Sequence, residues 1–267
     1  MTEVFDYHRA SGPILLSSPH DGAAFPEELV KRYQPKALEN EDRDWFVTEL
    51  YSLIENSNIS FIKANYSRYV VDLNRSYSGE VLYPGQMETG LCPLSSFSGK
   101  PLYEKDCAPS AEEIEERIEQ YWLPYHQHIQ SELERIKSMH GYALLWDAHS
   151  IKAEVPGLFS GVLPDLNFGT NSGKSCDPEI ARSLVVLSEQ QANYRVVKDA
   201  RFKGGYITRN YGRPEENVHA VQLEINQSTY LKDSENPLID DAKQGRLSTL
   251  LVELLECFAA RSAQLLK

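Results

Sequence analysis

No stretch of the chain approaches the roughly 20 consecutive apolar residues that a helical membrane span needs, so a helix-anchored membrane protein is not expected. The opening residues, MTEVFDYHRASG, carry acids and no apolar core, so they do not read as a signal peptide. Cysteine is sparse. Cys92, Cys107, Cys176 and Cys257 are scattered without a CxxC pair, and they read as reduced thiols of a cytoplasmic protein. Positive charge is short as well: 27 Lys and Arg stand against 39 Asp and Glu, a net charge of −12. That balance argues against a nucleic-acid or anionic-membrane partner, because phosphate binding needs clustered cations. An anionic small substrate would need local arginines set against the overall field. The G-x-S-x-G elbow of serine hydrolases is missing. So are internal repeats, low-complexity tracts and any composition break that would mark a linker. One domain over residues 1–267, alone or as a small homo-oligomer, is the simplest expectation.

What is present alternates between strand and helix. PILLSS from Pro13 reads as a strand, as do 59–63, 68–73, YALLWD from Tyr142, YRVVKD from Tyr194 and AVQLEIN from Ala220. Trp45, Phe46, Leu50, Leu53 and Ile54 recur at helical spacing. Ser110 to Glu113 reads as a capping box opening a long helix, which Pro124 should kink. Asp177 caps another helix. A third, over about 242–265, has an apolar face that includes Leu247, Leu251, Leu254 and Phe258. Residues 76–109 and 151–177 read as long loops, the first aromatic enough to cover a substrate. GGYITRNYG from Gly204 reads as loop or hairpin. Several strands are continuous apolar runs, which predicts an α/β fold whose largely parallel sheet is covered on both faces.

Three strand ends carry chemistry. PILLSSPHDG brings His20 just past a strand, beside an Asp-Gly pair that would serve equally as a turn. YALLWDAHS sets Asp147, His149 and Ser150 at the end of a buried strand, where open α/β sheets place ligand groups. AVQLEIN holds Glu224 between Leu223 and Ile225. A carboxylate inside a doubly covered sheet is costly unless it faces a cleft, a metal or a cation. A catalytic zinc takes three protein ligands from His and Asp or Glu and leaves one position for water. His20 and His149 supply two. NEDRDW offers Asp42 or Asp44 as the third, although acids there would also suit a helix start. Glu224 would be the general base, and Asp147 would orient His149 through its second ring nitrogen. A Ser150–His149–Asp147 triad is disfavoured, because neighbours on a strand point to opposite faces. Arg68, Asn74 with Arg75, Arg209 and Arg213 lie at strand ends or among Gly and Tyr. Guanidinium forks there suggest an anionic small molecule.

At these residues the chain resembles the N-formylglutamate amidohydrolase (N-formylglutamate deformylase) family. The resemblance rests on SPHDG at 18–22, DRDW at 42–45, YSRYVVDLNRS at 66–76 and YALLWDAHSI at 142–151. It extends through PDLNFGT at 164–170, SCDP at 175–178, RFKGGYITRNYG at 201–212 and HAVQLEINQSTY at 219–230. It implies a zinc-carboxypeptidase-like (phosphorylase/hydrolase-like) three-layer fold with a mixed sheet between helices. It also implies hydrolysis of N-formyl-L-glutamate to L-glutamate and formate, a step of histidine breakdown, with one divalent ion, usually zinc. In those terms His20, Asp44 and His149 would be the metal ligands, with Asp42 as the alternative acid. Glu224 would be the catalytic glutamate, and Asn74 with Arg75 a carboxylate-binding pair. Arg68 would assist the oxyanion, and Arg209 would hold a second carboxylate. The sequence departs from the zinc carboxypeptidases at H-x-x-E, since DGA follows His20. It also reads DRDW where the family has DTDW. Two other readings stand beside this one: a metal amidohydrolase for another N-acyl amino acid or short peptide, and a metal-free binding protein for an anionic metabolite.

Overall fold

In the computed structural model, which describes residues 2–54, 57–80, 82, 85, 88–191 and 193–266, strand alternation decides which helices cover which face of the sheet. The strands are β1 (Phe5–His8), β2 (Ile14–Ser18), β3 (Ser60–Ala64), β4 (Ala143–Ile151), β5 (Leu166–Gly169), β6 (Val196–Lys198) and β7 (Val218–Asn226). They form one sheet in the order β1-β3-β2-β4-β7-β5-β6. β3, β2, β4 and β7 run parallel to their neighbours, as do β5 and β6, while β1 against β3 and β5 against β7 are antiparallel. The sheet is therefore mixed and mostly parallel. A small hairpin of β8 (Leu231–Asp233) and β9 (Leu238–Ile239) stands apart.

The helices are α1 (Glu27–Val30), α2 (Val47–Leu50), α3 (Ala111–Arg117), α4 (Leu123–His140), α5 (Pro178–Glu189), α6 (Tyr206–Tyr211) and α7 (Asp241–Leu265). Ile14, Leu16, Leu144, Trp146, Val221 and Leu223 face one way and pack with α2, α5 and α7. Leu15, Ala143, Leu145 and Ala220 face the other way and pack with α4 and α6. Asp177 caps α5 by accepting from the Glu179 amide at 2.8 Å, and Asp240 caps α7. Ser110 caps α3, but Glu113 does not close the box. Its carboxylate pairs with Arg32 at 2.6 Å and with Arg117. A π turn, Ile118–Trp122, joins α3 to α4 just ahead of Pro124, so the proline sits in the first turn of α4, where its missing N–H is tolerated.

Four expectations change. Residues 68–73 are turns, because their carbonyls go to side chains rather than to a strand. Arg117 Nη1 donates to Val70 O (2.8 Å) and His126 Nε2 to Leu73 O (2.8 Å). β1 occupies the edge of β3 that such a strand would have used. GGYITRNYG contains α6 instead of a hairpin, and the 151–177 loop contains β5. The helical spacing after Trp45 yields one turn of α2 and a 3₁₀ turn at Ser52–Ile54, the end of the expected helix (55–56) lying outside the described residues. The expected covering loop at 76–109 also falls partly outside them, at 81, 83–84 and 86–87.

Candidate metal centre and active site

The face of the sheet under α4 and α6 changes character along its strands. Leu15 on β2, Leu145 on β4 and Ala220 on β7 are apolar. Continuing toward the carboxyl ends, the same row becomes Ser17, then Asp147 and His149, then Gln222 and Glu224. Asp147 lies in register with Gln222, and His149 with Glu224. Parallel strands thus deliver polar groups to one carboxyl edge, where α/β sheets carry their ligands.

His20, Asp44 and His149, all buried, place one ligand atom each within 4.8 Å of one another. Asp44 Oδ2 lies 2.9 Å from His149 Nδ1 and 3.8 Å from His20 Nδ1. A tetrahedral ion with ligands at ~2.1 Å has edges of about 3.4 Å, so these separations bracket what one cation needs. The other nitrogen of each ring goes to a carboxylate. His20 Nε2 is 2.8 Å from Asp72 Oδ1, and His149 Nε2 is 3.0 Å from Asp147 Oδ1. Asp72 can only accept, so His20 carries its proton on Nε2 and turns a bare Nδ1 toward Asp44. That buried nitrogen has no hydrogen-bond partner. A bare nitrogen beside a carboxylate oxygen is the donor set of a cation, and the residues fit one divalent ion.

Electrostatics support this protonation. Burial, with Arg68 nearby, lowers the His20 pKa and keeps its ring neutral. Burial alone would raise the Asp72 pKa, but Arg68 and His20 hold it well below the carboxylate range. Burial disfavours a charged His149, yet Asp147 and Asp44 raise its pKa well above the usual value. Without an ion, a proton bridges His149 to Asp44.

Glu224 lines the same pocket. Gln222 Nε2 donates to its Oε2 at 3.1 Å, and Gln222 Oε1 in turn accepts the Gly205 amide at 2.7 Å. Burial, opposed by His149 and reinforced by Asp44, pushes the Glu224 carboxyl up to about 8. A carboxyl group titrating near neutrality suits both taking and returning a proton.

The segment before the pocket is held from outside. Trp122 Nε1 donates to Arg75 O (2.9 Å), which with the Leu73 contact grips the backbone on both sides of Asn74. The Asn74 amide donates to Asp72 Oδ1 (2.9 Å). Its side-chain Oδ1 accepts from Ile207 N (2.8 Å), and its Nδ2 lies 3.0 Å from His149 Nε2. Gly205 makes room, because a Cβ there would come within 2.3 Å of Asn74 Nδ2. Arg43 of DRDW braces the two ligand segments. It donates to Asp21 O at 2.6 Å and pairs with Asp21 Oδ1 at 2.8 Å. Phe46, two residues after Asp44, sits at φ 60°, a strained conformation for an aromatic residue next to a site.

The expected site residues divide. His20, Asp44, His149, Glu224, Arg68, Asn74 and Arg75 line one pocket, and Asp147 stands behind His149. Asp42 lies outside the His–Asp–His cluster, its Oδ2 accepting the Phe97 amide at 2.8 Å. Arg209 does not line the pocket. Its guanidinium donates to Gly204 O (2.7 Å) and Leu82 O (2.9 Å), so it fixes loops. Arg213, expected near the substrate, is half exposed beside Glu216 and does not line the pocket, since the turn after α6 carries it to the surface. Arg68 is committed to Asp72 at 2.6 Å and lies 3.7 Å from Asp44. Ser150 Oγ accepts from Tyr230 OH (2.8 Å), and among the described contacts it does not donate to His149, so the two form no triad. Sequence reasoning missed Asp72, Gln222, Arg43 and Arg201. An acid inside VVDL was the available signal for Asp72.

The N-formylglutamate amidohydrolase family matches residues 12–231. The chain belongs to that family. It is 45% identical over 261 residues to the N-formylglutamate deformylase of Pseudomonas aeruginosa, covering 97% of each chain. It is 40% identical over 264 residues to that of Pseudomonas putida, covering 99% of this chain and 98% of the other. In fold it is similar to a crystal structure of an N-formylglutamate amidohydrolase from Ralstonia eutropha JMP134, with a TM-score of 0.81 and 22% identity over 97% and 99% of the two chains. A gene product of Agrobacterium tumefaciens is also similar, with a TM-score of 0.73 and 17% identity over 97% and 96%. Membership thus rests on sequence, and the overall fold is shared with these solved structures.

Proposed function

We propose that this family member hydrolyses N-formyl-L-glutamate to L-glutamate and formate, in histidine degradation, using one divalent ion, zinc by donor type, held by His20, Asp44 and His149. The observation that carries this reading is the convergence of two histidine nitrogens and one carboxylate oxygen beside a buried glutamate. When bound, the ion would supply Lewis acidity and a lowered water pKa. Glu224 takes the proton of the attacking water and returns it to the departing amine of glutamate. Arg68, fixed by Asp72, adds positive charge near the developing oxyanion. Asp72 and Asp147 hold the two imidazoles in ligand-ready tautomers. Asn74 and Arg75 hold the α-carboxylate.

All of these groups come from one chain, so a single copy, alone or in a small homo-oligomer, is a complete catalytic unit and one metallohydrolase domain. Kinship with the zinc carboxypeptidases is part of the proposal. Among the described residues no helix is long and apolar enough to cross a membrane, and all four cysteines are free. A cytoplasmic setting fits those thiols. The test is formate release across N-formyl, N-acetyl and N-succinyl amino acids. Preference for N-formyl-L-glutamate supports the reading. Faster turnover of an N-acetyl or N-succinyl substrate would replace it with a broader deacylase.

A further inference from the structure

Glutamate presents two carboxylates, and the sequence supplied one convincing anchor, Arg75 beside Asn74. The second candidates, Arg209 and Arg213, do not line the pocket, but Arg201 does. Its Nε donates to Leu158 O at 2.9 Å, and its guanidinium lies over the Phe202 ring at 5.2 Å from the centroid. These contacts are among those that hold the guanidinium against the pocket wall. Leu158, Phe202 and Ile151 share the pocket wall and belong to a small apolar cluster with Phe97 and Val155.

We propose that Arg201 binds the side-chain carboxylate of the N-formyl amino acid and sets the preference for an acidic side chain. This rests on the deformylase reading of the site. The α-carboxylate is one carbon from the amide nitrogen, so it takes a pocket arginine on the metal-ligand side other than Arg68, which Asp72 already holds. Arg75 follows Asn74, whose Nδ2 is 3.0 Å from His149. The side-chain carboxylate lies two methylenes further on. Those methylenes need an apolar wall ending in a cation, and Ile151, Leu158 and Phe202 with Arg201 provide it. Other charges leave this assignment standing. Arg68 is tied to Asp72 and lies 3.7 Å from Asp44, Asp44 faces the two histidines, and Glu224 accepts from Gln222 Nε2 at 3.1 Å. Glu88 also lines the pocket, with Oε1 accepting the Leu82 amide at 3.2 Å, and two guanidinium groups outweigh it.

The experiment compares kcat/KM for N-formyl-L-glutamate and N-formyl-L-glutamine in the wild type, Arg201→Met, Arg201→Lys and Arg75→Met, each with its metal content and circular dichroism recorded. The wild type should favour glutamate by roughly 100-fold or more. Arg201→Met should abolish most of that preference, with glutamine turnover within about 3-fold of wild type. Arg201→Lys, which keeps the charge but loses the fork, should fall between them. Arg75→Met should lower both substrates together, since both carry the α-carboxylate. If Arg201→Met folds, binds metal and leaves the glutamate preference intact, the proposal is wrong. Equal losses on both substrates in Arg201→Met and Arg201→Lys would also overturn it, by marking a structural residue. If the wild type releases no formate from either substrate, the deformylase reading itself fails, a different result from an unchanged preference.

Discussion

His20 and His149 each lend one nitrogen to a carboxylate and turn the other toward Asp44, and this pairing governs behaviour at the residue scale. Asp44→Ala is expected to lose bound metal, while Asp42→Ala, whose carboxylate serves the Phe97 amide, should retain it. Elemental analysis of the two purified variants separates them. Glu224→Gln should lower kcat by roughly 10²–10⁴-fold with metal still bound. The same substitution has a stability signature in the metal-free protein. The folded Glu224 pKa is raised to about 8 from 4.5, so between those values the folded state binds more protons than the unfolded one. Stability then falls as pH rises through that window. Urea unfolding from pH 5 to 8 should show the wild type losing more stability than Glu224→Gln. At this scale the sequence, through strand ends and alternation, pointed to His20, Asp44, His149 and Glu224, which the fold brings to one pocket. It hid Asp72 and Gln222, whose roles depend on the side chains packed behind them. It could not rank Arg201 above Arg209, because both sit among Gly and aromatic residues and only tertiary placement separates them.

At the scale of elements, the segment from Ser67 to Ser76 decides the site. Its apolar residues look like a strand, and apolar runs do not distinguish a paired strand from a buried turn whose carbonyls are claimed by side chains. Arg117, Trp122 and His126 make those claims here from α3, the π turn and α4. Gly205 ahead of α6 allows Asn74 to approach. Gly205→Ala should therefore displace Asn74 and reduce kcat/KM by roughly 10–100-fold, with unfolding midpoints showing whether the fold is kept. His126 is buried and neutral, its pKa pushed down to about 3 by burial despite the Leu73 carbonyl. Its stabilising contribution is present above the usual 6.5 and is lost as pH falls from there toward 3. The urea midpoint of the wild type should drop more steeply between pH 7 and 5 than that of His126→Phe, which keeps an aromatic ring against Trp122. α6 was illegible beforehand because a six-residue helix flanked by glycines carries too little periodicity.

Across the whole molecule, the alternation of apolar runs with helical stripes foretold a mostly parallel sheet covered on both faces, and the fold has that form. A mixed sheet was implied by the family resemblance, but which strands run antiparallel was not legible, because β1 and β5 are each four residues long. The net charge of −12 opposes an anionic substrate, so the proposed function requires local cations, the role proposed for Arg75 and Arg201. Raising ionic strength with a weakly coordinating salt should screen the long-range repulsion more than those short-range, partly buried contacts. The KM for N-formyl-L-glutamate is then expected to stay level or fall, where a site relying on surface cations would show a rise.

The most direct measurement pairs metal content with formate release from N-formyl-L-glutamate, before chelation, after chelation and after adding back zinc. One ion per chain, loss of turnover with the ion, and recovery with its return are predicted, with no binding or recovery in His20→Ala or His149→Ala. Undiminished turnover in protein stripped of metal would contradict the account.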